Sequence, residues 1–457
     1  MFLRGYLNSS LAKRRHPVPL GARAMPTLKL RTLKSTSFIA LLMKKENHFF
    51  QSSIYNLAIK LYGLSIGIAA IFQPKAKKWI DGRKNYFENL GNTLKSNQQP
   101  IAWFHCASLG EYEQGRPVID AFEAAFPKFQ IVVSFFSPSG FENANLKADE
   151  CKIYLPLDTP VNAKKLISIL NPAIVFFVKY DFWKNIIHEI HHKNIPLICF
   201  SANFRKNQIY FKSIFFAEIV KSFNMIFVQN QKSKNLLETI DIKTVRVLTD
   251  TRFEQVLERK INQNLSSLFE DFKQQKNIIV AGSVHQKDMD VLIPFINQDS
   301  YYQFLIFPHE INYKQIQKWR NSISRETALI GEKTVDVVFI DKIGLLTDTY
   351  SLAKFAFVGG GFGAGLHSIL EATVYGIPVL FGDKAFQKFE EAKKLIHLEI
   401  AFAIKNETEL AEKLVKIEDS PDFFKKTSEL CTAYFHSKSG ASEAIIEYVK
   451  SQKLISD

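Results

Sequence analysis

The sequence predicts an α/β fold in which two domains, each built on a parallel sheet, follow one another along the chain. From Ile101 onwards, short apolar runs alternate with helix-like segments, a pattern typical of parallel sheets covered by helices on both faces. A polar stretch over residues 258–276 interrupts this alternation and is interpreted as the connection between the domains. A chain of 457 residues also exceeds one ordinary hydrophobic core, so two domains are expected.

The apolar runs predict the strands of each sheet. Those of the first sheet are Ile101–Cys106, Ile131–Phe136, Ile153–Leu157, Ile174–Val178, Pro196–Phe200, Met225–Val228 and Val245–Leu248. Those of the second are Ile278–Ala281, Phe304–Phe307, Val335–Ile340, Phe355–Val358, Pro378–Phe381 and Ala401–Ile404. Each series has the form of a Rossmann-like domain, in which ligands bind beyond the carboxyl ends of the strands. Two such domains facing each other form a cleft at those ends.

Residues 1–50 form a basic extension that carries nine of the fourteen excess positive charges of the chain. They have little periodicity and no signal-peptide pattern, so we expect a disordered arm. Translation from Met43 would remove most of it. The small positive excess of the remaining chain does not call for nucleic acid as a partner, but it suits a phosphate-bearing ligand or an anionic membrane face.

Residues 53–73 predict a membrane anchor helix. Ile54–Phe72 is close to the length that crosses a bilayer, although Lys60 lies within it. Five basic residues and one tryptophan follow, as is typical of a cytoplasmic interface: Lys75, Lys77, Lys78, Trp79, Arg83 and Lys84. Three interpretations stay open, namely a single span, a helix lying in the membrane interface, and a buried core helix. The Rossmann-like domains are then expected over residues 74–257 and 277–438, and a C-terminal helix over 439–457.

A glycine-rich turn is the strongest signal of a ligand site. Five glycines fall within residues 359–365, between the strand Phe355–Val358 and a predicted helix, His367–Tyr375. Backbone amides and the dipole at such a helix N-terminus favour a phosphate, and glycines permit its close approach. We interpret this turn, with Gly360 and Gly361, as the phosphate and sugar end of a nucleotide site. The alternative is a tight turn that binds nothing.

Polar residues follow the other predicted strands at the same edge of each sheet. In the first half they are Ser108, Glu111, Lys179, Tyr180, Asp181, Asn203, Arg205 and Arg252; in the second they are Ser283, His285, Pro308, His309, Glu310 and Gly344. Glu111 opens a helix whose N-terminus points into the cleft, where a carboxylate can act as a base. Ser108 and Glu111 also have the spacing of a capping box, which is the structural alternative.

Three motifs are interpreted as coincidental. His188–His192 matches HExxH, but no third ligand has suitable spacing, so a solvated helix face is favoured. Asp288 and Asp290 resemble the DxD motif of metal-dependent sugar transferases, yet acids early in a helix also favour its dipole. Gly359–Ala364 matches the dinucleotide fingerprint, which usually opens a first βαβ unit rather than following a late strand. Four scattered cysteines also lack zinc-site spacing, so we expect no cofactor and no metal.

In their order along the chain, these elements resemble the family of 3-deoxy-D-manno-octulosonic acid (Kdo) transferases, which move Kdo from CMP-Kdo onto lipid A precursor in lipopolysaccharide biosynthesis. The resemblance covers roughly residues 53–450. It rests on six segments: Trp103–Glu111, Val178–Trp183, Thr251–Glu254, Ala281–His285, Pro308–His309 and Gly359–Glu371.

The resemblance implies a GT-B fold, with residues 74–257 binding the acceptor and residues 277–438 binding the CMP-sugar. It implies that Glu111 is the general base and that Arg252 steadies the leaving phosphate; Lys179 is expected as a third catalytic residue. The expected substrate- and CMP-binding residues are Ser283, His285, Pro308, His309, Ile343, Gly344, Leu345, Gly360, Gly361, Ser368, Ile369, Leu370 and Glu371. Many members have Glu at position 179, Arg at 309, Glu at 345 and Asn at 368, so this chain departs from them there.

The implied reaction inverts the anomeric carbon of Kdo and uses lipid A precursor (lipid IVA) at the cytoplasmic side of the cell inner membrane. Two other activities stay open, a GT-B glycosyltransferase that uses a UDP-sugar and an NAD(P)-binding oxidoreductase. A non-catalytic membrane scaffold is disfavoured by the clustering of Glu111, Arg252 and His309 at strand ends.

Overall fold

The structure is a computed structural model that describes residues 32–95, 97–363 and 365–455, with side chains from residue 50 onwards. Residues 1–31 of the predicted basic extension lie outside the described residues, as does Ala364 of the dinucleotide-like motif. Asn56–Asp457 forms one compact unit that contains both sheets, and the residues before Asn56 belong to another.

Each half of the larger unit contains a seven-stranded parallel sheet within the described residues. The first sheet has strands β1 Ile101–Cys106, β2 Gln130–Phe135, β3 Cys151–Tyr154, β4 Ile174–Val178, β5 Leu197–Ala202, β6 Met225–Val228 and β7 Val245–Val247. The second has β8 Ile278–Val284, β9 Gln303–Pro308, β10 Thr327–Leu329, β11 Val337–Phe339, β12 Phe355–Val358, β13 Val379–Gly382 and β14 Ala401–Ile404. Their orders, β3-β2-β1-β4-β5-β6-β7 and β10-β11-β9-β8-β12-β13-β14, confirm the prediction of two Rossmann-like halves.

Helices connect the strands and cover both sheets. They are α1 Thr32–Ala69, α2 Pro74–Asp81, α3 Tyr86–Leu94, α4 Leu109–Ala125, α5 Pro138–Asn143, α6 Pro160–Leu170, α7 Lys184–His192, α8 Ile214–Lys221, α9 Gln231–Glu238, α10 Arg252–Ile261, α11 Gln286–Gln298, α12 Tyr313–Ser322, α13 Leu346–Thr349, α14 Leu370–Thr373, α15 Glu390–His397, α16 Glu407–Glu418, α17 Phe423–His436 and α18 Ala441–Ser451. Short 3₁₀ turns occur at Ile209–Phe211, Ser267–Phe272, Tyr350–Leu352 and Phe386–Lys388.

The central strands are apolar without interruption because both of their faces are covered. Every residue of β1, β4 and β5 is buried. Phe104 and Phe176 are paired across β1 and β4, and their rings stack with centroids 4.5 Å apart on one face of the sheet. Trp103 and Phe177 belong to the separate core on the other face. The large phenylalanine content therefore fills two core layers around one sheet.

Four predicted features differ from the structure. Residues 32–50 of the expected disordered arm are helical, as the first part of α1. The predicted helix His367–Tyr375 is helical only at α14, because residues 365–368 have no regular secondary structure and Gly376, with φ 80°, ends the element. The strand β10 was not predicted, since three residues carry too little pattern. The predicted polar connection, residues 258–276, begins inside α10 and includes Ser267–Phe272, whose two phenylalanines are buried in the second core.

The chain returns to the first half at its C-terminal end. Helix α18 packs on α4, with Ile445 and Val449 buried in the core beneath the first sheet. The carboxylate of Glu254, in α10, accepts hydrogen bonds from the amides of Gly440 and Ala441 at 2.6 and 2.5 Å. An acid at this helix N-terminus satisfies amides that no earlier turn can reach.

From residue 56, one face of α1 lies on the first half. The Asn185 amide donates to the Asn56 side chain at 2.9 Å, and a Cβ on Gly63 would lie 2.7 Å from Leu157. The opposite face is apolar and exposed, at Leu57, Leu61, Leu64 and Ile68, and the exposed Ile71 and Phe72 follow the helix. A buried core helix is therefore the wrong interpretation of this face. Within the described residues, no helix combines the length and the apolar character that crossing a membrane requires.

Candidate active site

Glu111 lies in the first turn of α4, directly beyond the buried strand β1. Its Oε2 accepts a hydrogen bond of 2.6 Å from the amide of Ala107, while the N-cap residue Ser108 makes no side-chain cap bond. The reciprocal capping box that the spacing allows is therefore not formed. Burial raises the pKa of Glu111, and the nearby Lys179 only partly offsets this effect. A carboxylate whose pKa is raised towards neutrality is suited to accept a proton.

Lys179 follows β4 and adopts φ 65°, a left-handed conformation that is uncommon for a residue with a side chain. Its amide donates to the Phe200 carbonyl at 2.9 Å, and its own carbonyl accepts from the Cys199 thiol at 2.7 Å. Burial lowers the pKa of Lys179, Glu111 opposes that shift and Arg252 adds to it. Strained residues of this kind concentrate at functional sites.

A buried hydrogen-bond chain beside Glu111 was not predicted. The Trp103 indole donates to Ser134 Oγ at 2.8 Å, and that hydroxyl lies 2.9 Å from His105 Nδ1. Since Ser134 Oγ accepts from the indole, its own proton is directed to Nδ1, which places the imidazole proton on Nε2. That nitrogen lies 3.5 Å from Asp181 Oδ2. His105 is thus oriented by a chain of buried polar groups. Its contact with Ser134 joins residues 29 positions apart, so no local sequence pattern reveals it.

Arg252 opens α10 and joins the two halves of the molecule. Its Nε donates to Asp250 Oδ2 at 2.8 Å, and a terminal nitrogen donates to Glu391 of α15 at 2.5 Å. Burial alone would lower the pKa of Arg252, but the two carboxylates outweigh it and hold the pKa above its ordinary value. The guanidinium stays charged and partly exposed. Asp250 and Glu391 are site residues that the sequence analysis missed, because neither has a motif.

Three histidines gather at the matching edge of the second sheet. His285, His309 and His367 follow β8, β9 and β12, which are neighbours in the sheet. The Nε2 atoms of His285 and His367 are 2.9 Å apart, and the His309 ring packs against both, tilted to His285 and stacked on His367, with centroids 4.4 and 4.6 Å away. Of these, His285 and His309 were predicted to contact the nucleotide.

The glycine-rich turn next to this cluster is packed tightly against the protein itself. Gly360 has φ 85°, and its amide donates to Asp288 Oδ2 at 2.8 Å; a Cβ on Gly361 would lie 2.5 Å from the Gly382 amide nitrogen. Close contacts with the protein's own backbone therefore require glycine at these positions. This agrees with the alternative interpretation, a tight turn that binds nothing. Just beyond, no acceptor for the amides of Ser368 and Ile369 is found among the described residues, which do not include Ala364. Those amides are the groups of this turn that are suited to bind an anion.

The other predicted binding residues differ in exposure. Ile343, Gly344 and Ser368 are exposed, and Ser283, Pro308, Leu345 and Glu371 are half-buried. The side chains of Ile369 and Leu370 are buried in the second core, so any contact they make with a nucleotide uses the backbone. The Glu371 carboxylate accepts from Thr347 Oγ1 at 2.9 Å. The structure thus brings Glu111, Lys179 and Arg252 together at one sheet and the histidines and glycine turn together at the other.

Comparison with known proteins gives a consistent family. The model of Glycos_transf_N, the 3-deoxy-D-manno-octulosonic-acid transferase (kdotransferase) family, matches residues 84–255. The 3-deoxy-D-manno-octulosonic acid transferase of Aquifex aeolicus is 28% identical over 331 residues, which are 70% of this chain and 87% of that protein. The same-named protein of Chlamydophila psittaci is 24% identical over 387 residues, 79% of this chain and 88% of its own length. The resemblance to the Kdo transferase family is confirmed over these residues, and the chain is a glycosyltransferase, as predicted.

Solved structures agree with a GT-B arrangement of the two sheets. A UDP-GlcNAc 2-epimerase from Neisseria meningitidis superposes with a TM-score of 0.57 at 15% identity, over 78% of this chain and all of the other. A protein described as a putative UDP-N-acetylglucosamine 2-epimerase from Listeria monocytogenes gives a TM-score of 0.56 at 14% identity, over 79% and 98%. At these identities the likeness concerns the fold alone, and it confirms the predicted GT-B type.

Proposed function

We propose that the protein transfers Kdo from CMP-Kdo to lipid A precursor (lipid IVA), with inversion at the anomeric carbon and Glu111 as general base. The observation that carries the proposal is the setting of Glu111, a half-buried carboxylate with a raised pKa that opens α4 at the carboxyl edge of the first sheet. The family name and the relatives support Kdo as the transferred sugar.

In the proposed reaction, Glu111 takes the proton of an acceptor hydroxyl as that oxygen attacks the anomeric carbon. The bond from this carbon to the phosphate oxygen breaks, and CMP leaves with the electron pair. A phosphate monoester is weakly basic, so it needs charge stabilisation rather than an acid. Arg252 and the amides of Ser368 and Ile369 are suited to supply it. Attack from the side opposite the leaving group is the reason that inversion is expected.

Arg252 must change partners in this scheme. In the structure its guanidinium is shared by Asp250 and Glu391. A donor phosphate reaching Arg252 replaces the Glu391 carboxylate, while Asp250 retains the Nε contact and keeps the side chain oriented. Glu391 thereby holds the guanidinium until a competing anion arrives.

The exposed face of α1 supports association with a membrane surface. Its apolar side chains form a stripe along the helix, and the exposed Lys75 and Lys77 follow it. An amphipathic arrangement of this kind binds in the interface of an anionic leaflet, where the lipid acceptor resides. The inner membrane, on its cytoplasmic side, is the location we propose. Arg83 does not take part: it donates to the Leu155, Trp79 and Phe136 carbonyls, and burial lowers its pKa to about 9.

Incubation of the purified full chain with CMP-Kdo and lipid IVA in detergent tests the proposal. We expect product whose mass increases by one or more Kdo residues, together with released CMP. The Glu111→Gln variant provides the matched negative control. Transfer from a UDP-sugar, with none from CMP-Kdo, would overturn the donor assignment, and so would a melting temperature raised by UDP but not by CMP.

A further inference from the structure

The three histidines at the second sheet form a compact set of nitrogen ligands. One potential ligand atom from each of His285, His309 and His367 lies within 4.8 Å of the other two. Among the described residues, this is the one group of three or more histidines, cysteines or carboxylates that is close enough to hold a metal ion. Three nitrogens around a tetrahedral zinc ion are about 3.3 Å apart, given zinc–nitrogen bonds of about 2.0–2.1 Å. The set is therefore within a small side-chain movement of a coordination sphere.

Hydrogen bonds fix the backbone at each of the three histidines. The His309 amide donates to the Val284 carbonyl at 3.0 Å, next to His285, and the His367 amide donates to the Gly359 carbonyl at 3.2 Å. The His285 amide donates to Asp288 Oδ2 at 2.8 Å, and Asp288 is buried. Adjacent strands and direct backbone bonds thus pre-organise the three rings, which is what a metal site requires of its scaffold.

A metal ion requires an unprotonated ring nitrogen from each histidine. Neutral imidazoles keep a lone pair for coordination. The contact between the two Nε2 atoms at 2.9 Å requires one proton, and a metal ion can take the place of that proton. No carboxylate belongs to this set.

We propose that His285, His309 and His367 bind one divalent transition-metal ion, with further coordination positions left open on the exposed side of His309. Three imidazole nitrogens suit Zn²⁺, Co²⁺, Ni²⁺ or Cu²⁺, whereas Mg²⁺ and Ca²⁺ prefer oxygen ligands. This inference concerns binding alone and does not rest on the proposed transfer reaction. It also differs from our expectation of no metal, which was based on spacing within single motifs.

A titration of the full, untagged chain with Co²⁺ tests the proposal, because cobalt bound by nitrogen ligands in a tetrahedral site absorbs visible light. His188 and His192 are one helical turn apart on α7 and offer a second, two-ligand place for metal. The titration is therefore made in a His188→Ala/His192→Ala background. We expect one Co²⁺ per chain, displaced by one Zn²⁺.

Single replacements in that background then locate the site. His309→Ala and His367→Ala should each weaken Co²⁺ binding by at least about 100-fold, which is the upper end of the loss seen for outer-shell partners. His436→Ala, an exposed histidine on α17, should leave it unchanged. His309 is exposed, so its variant is expected to fold, and an unchanged melting temperature checks this. Absence of saturable binding in the background, or unaltered binding in folded His309→Ala, would overturn the proposal. Glu111→Gln should bind Co²⁺ normally, which separates this result from any failure of the transfer assay.

Discussion

Replacing Glu111 by glutamine should remove the general base while keeping the fold. A glutamine oxygen can still accept the 2.6 Å hydrogen bond from the Ala107 amide, so the start of α4 should persist. A positioned base contributes about 10²–10⁴-fold to the rate. Since each tenfold change in rate corresponds to about 1.36 kcal/mol, this is about 2.7–5.4 kcal/mol of transition-state stabilisation. We expect kcat to fall by that factor with little change in KM, because the lost interaction acts only in the transition state.

The same substitution should have a distinct effect on stability. Burial raises the pKa of Glu111 in the folded protein. Protonation of Glu111 therefore raises the free energy of unfolding. This contribution is fully present below the unfolded pKa and is lost as pH rises through the folded pKa. At neutral pH, ionisation of the buried Glu111 lowers the free energy of unfolding of the wild-type protein. The neutral glutamine has no such cost. Glu111→Gln should therefore be more stable than wild type at pH 7, and the advantage should disappear in acid.

Initial rates of Kdo transfer from pH 4 to pH 9 and urea unfolding at pH 4 and pH 7 measure both effects. Wild-type kcat/KM should fall on the acid side as Glu111 is protonated, and the variant should lose this limb. Glu113→Gln is the matched control, because Glu113 is also half-buried with a raised pKa but lies beside Arg259 and Glu371. A folded Glu111→Gln protein with more than a tenth of wild-type activity, or a retained acid limb, would refute the assignment.

Three further predictions follow from the same contacts. Glu391→Gln should strengthen CMP binding several-fold in calorimetry, because the phosphate no longer displaces a carboxylate from Arg252. Leu61→Asp/Ile68→Asp should reduce binding to anionic vesicles in a sedimentation assay by more than about tenfold, since each exposed side chain contributes about 1.5–3 kcal/mol when fully buried. Gly361→Ala should lower the free energy of unfolding in urea by about 1–3 kcal/mol, because its Cβ would lie 2.5 Å from backbone atoms.

Each of these has a control within the chain. Weaker or unchanged CMP binding in Glu391→Gln would contradict the exchange of partners at Arg252. Val415→Asp changes an exposed apolar residue on α16 and should not affect vesicle binding; equal loss in that variant would contradict a role specific to α1. Gly110→Ala places a Cβ in open space and should be neutral or stabilising, so equal destabilisation there would contradict the packing argument for Gly361.

Local patterns in the sequence determine the two-sheet architecture and the neighbourhood of the site. The strands β1, β4, β6, β12 and β14 have the bounds that their apolar runs predict, because a strand buried on both faces reads as an unbroken apolar segment. Topology then places residues that follow parallel strands at one edge. Glu111, Lys179 and Arg252 could be named in this way, since each lies within five residues of the end of a strand.

Only the tertiary structure decides which of those residues meet. His285 and His367 are 82 positions apart and come together because β8 and β12 are neighbours, an order that no local pattern encodes. The Arg252–Glu391 ion pair and the return of α18 to the first core depend in the same way on how the halves pack. The spacing of apolar residues and the positions of turn residues describe only about one helical turn or one strand at a time. Contacts between distant segments arise from the summed packing of whole layers, and those contacts set the charge, burial and pKa of the groups that do the chemistry.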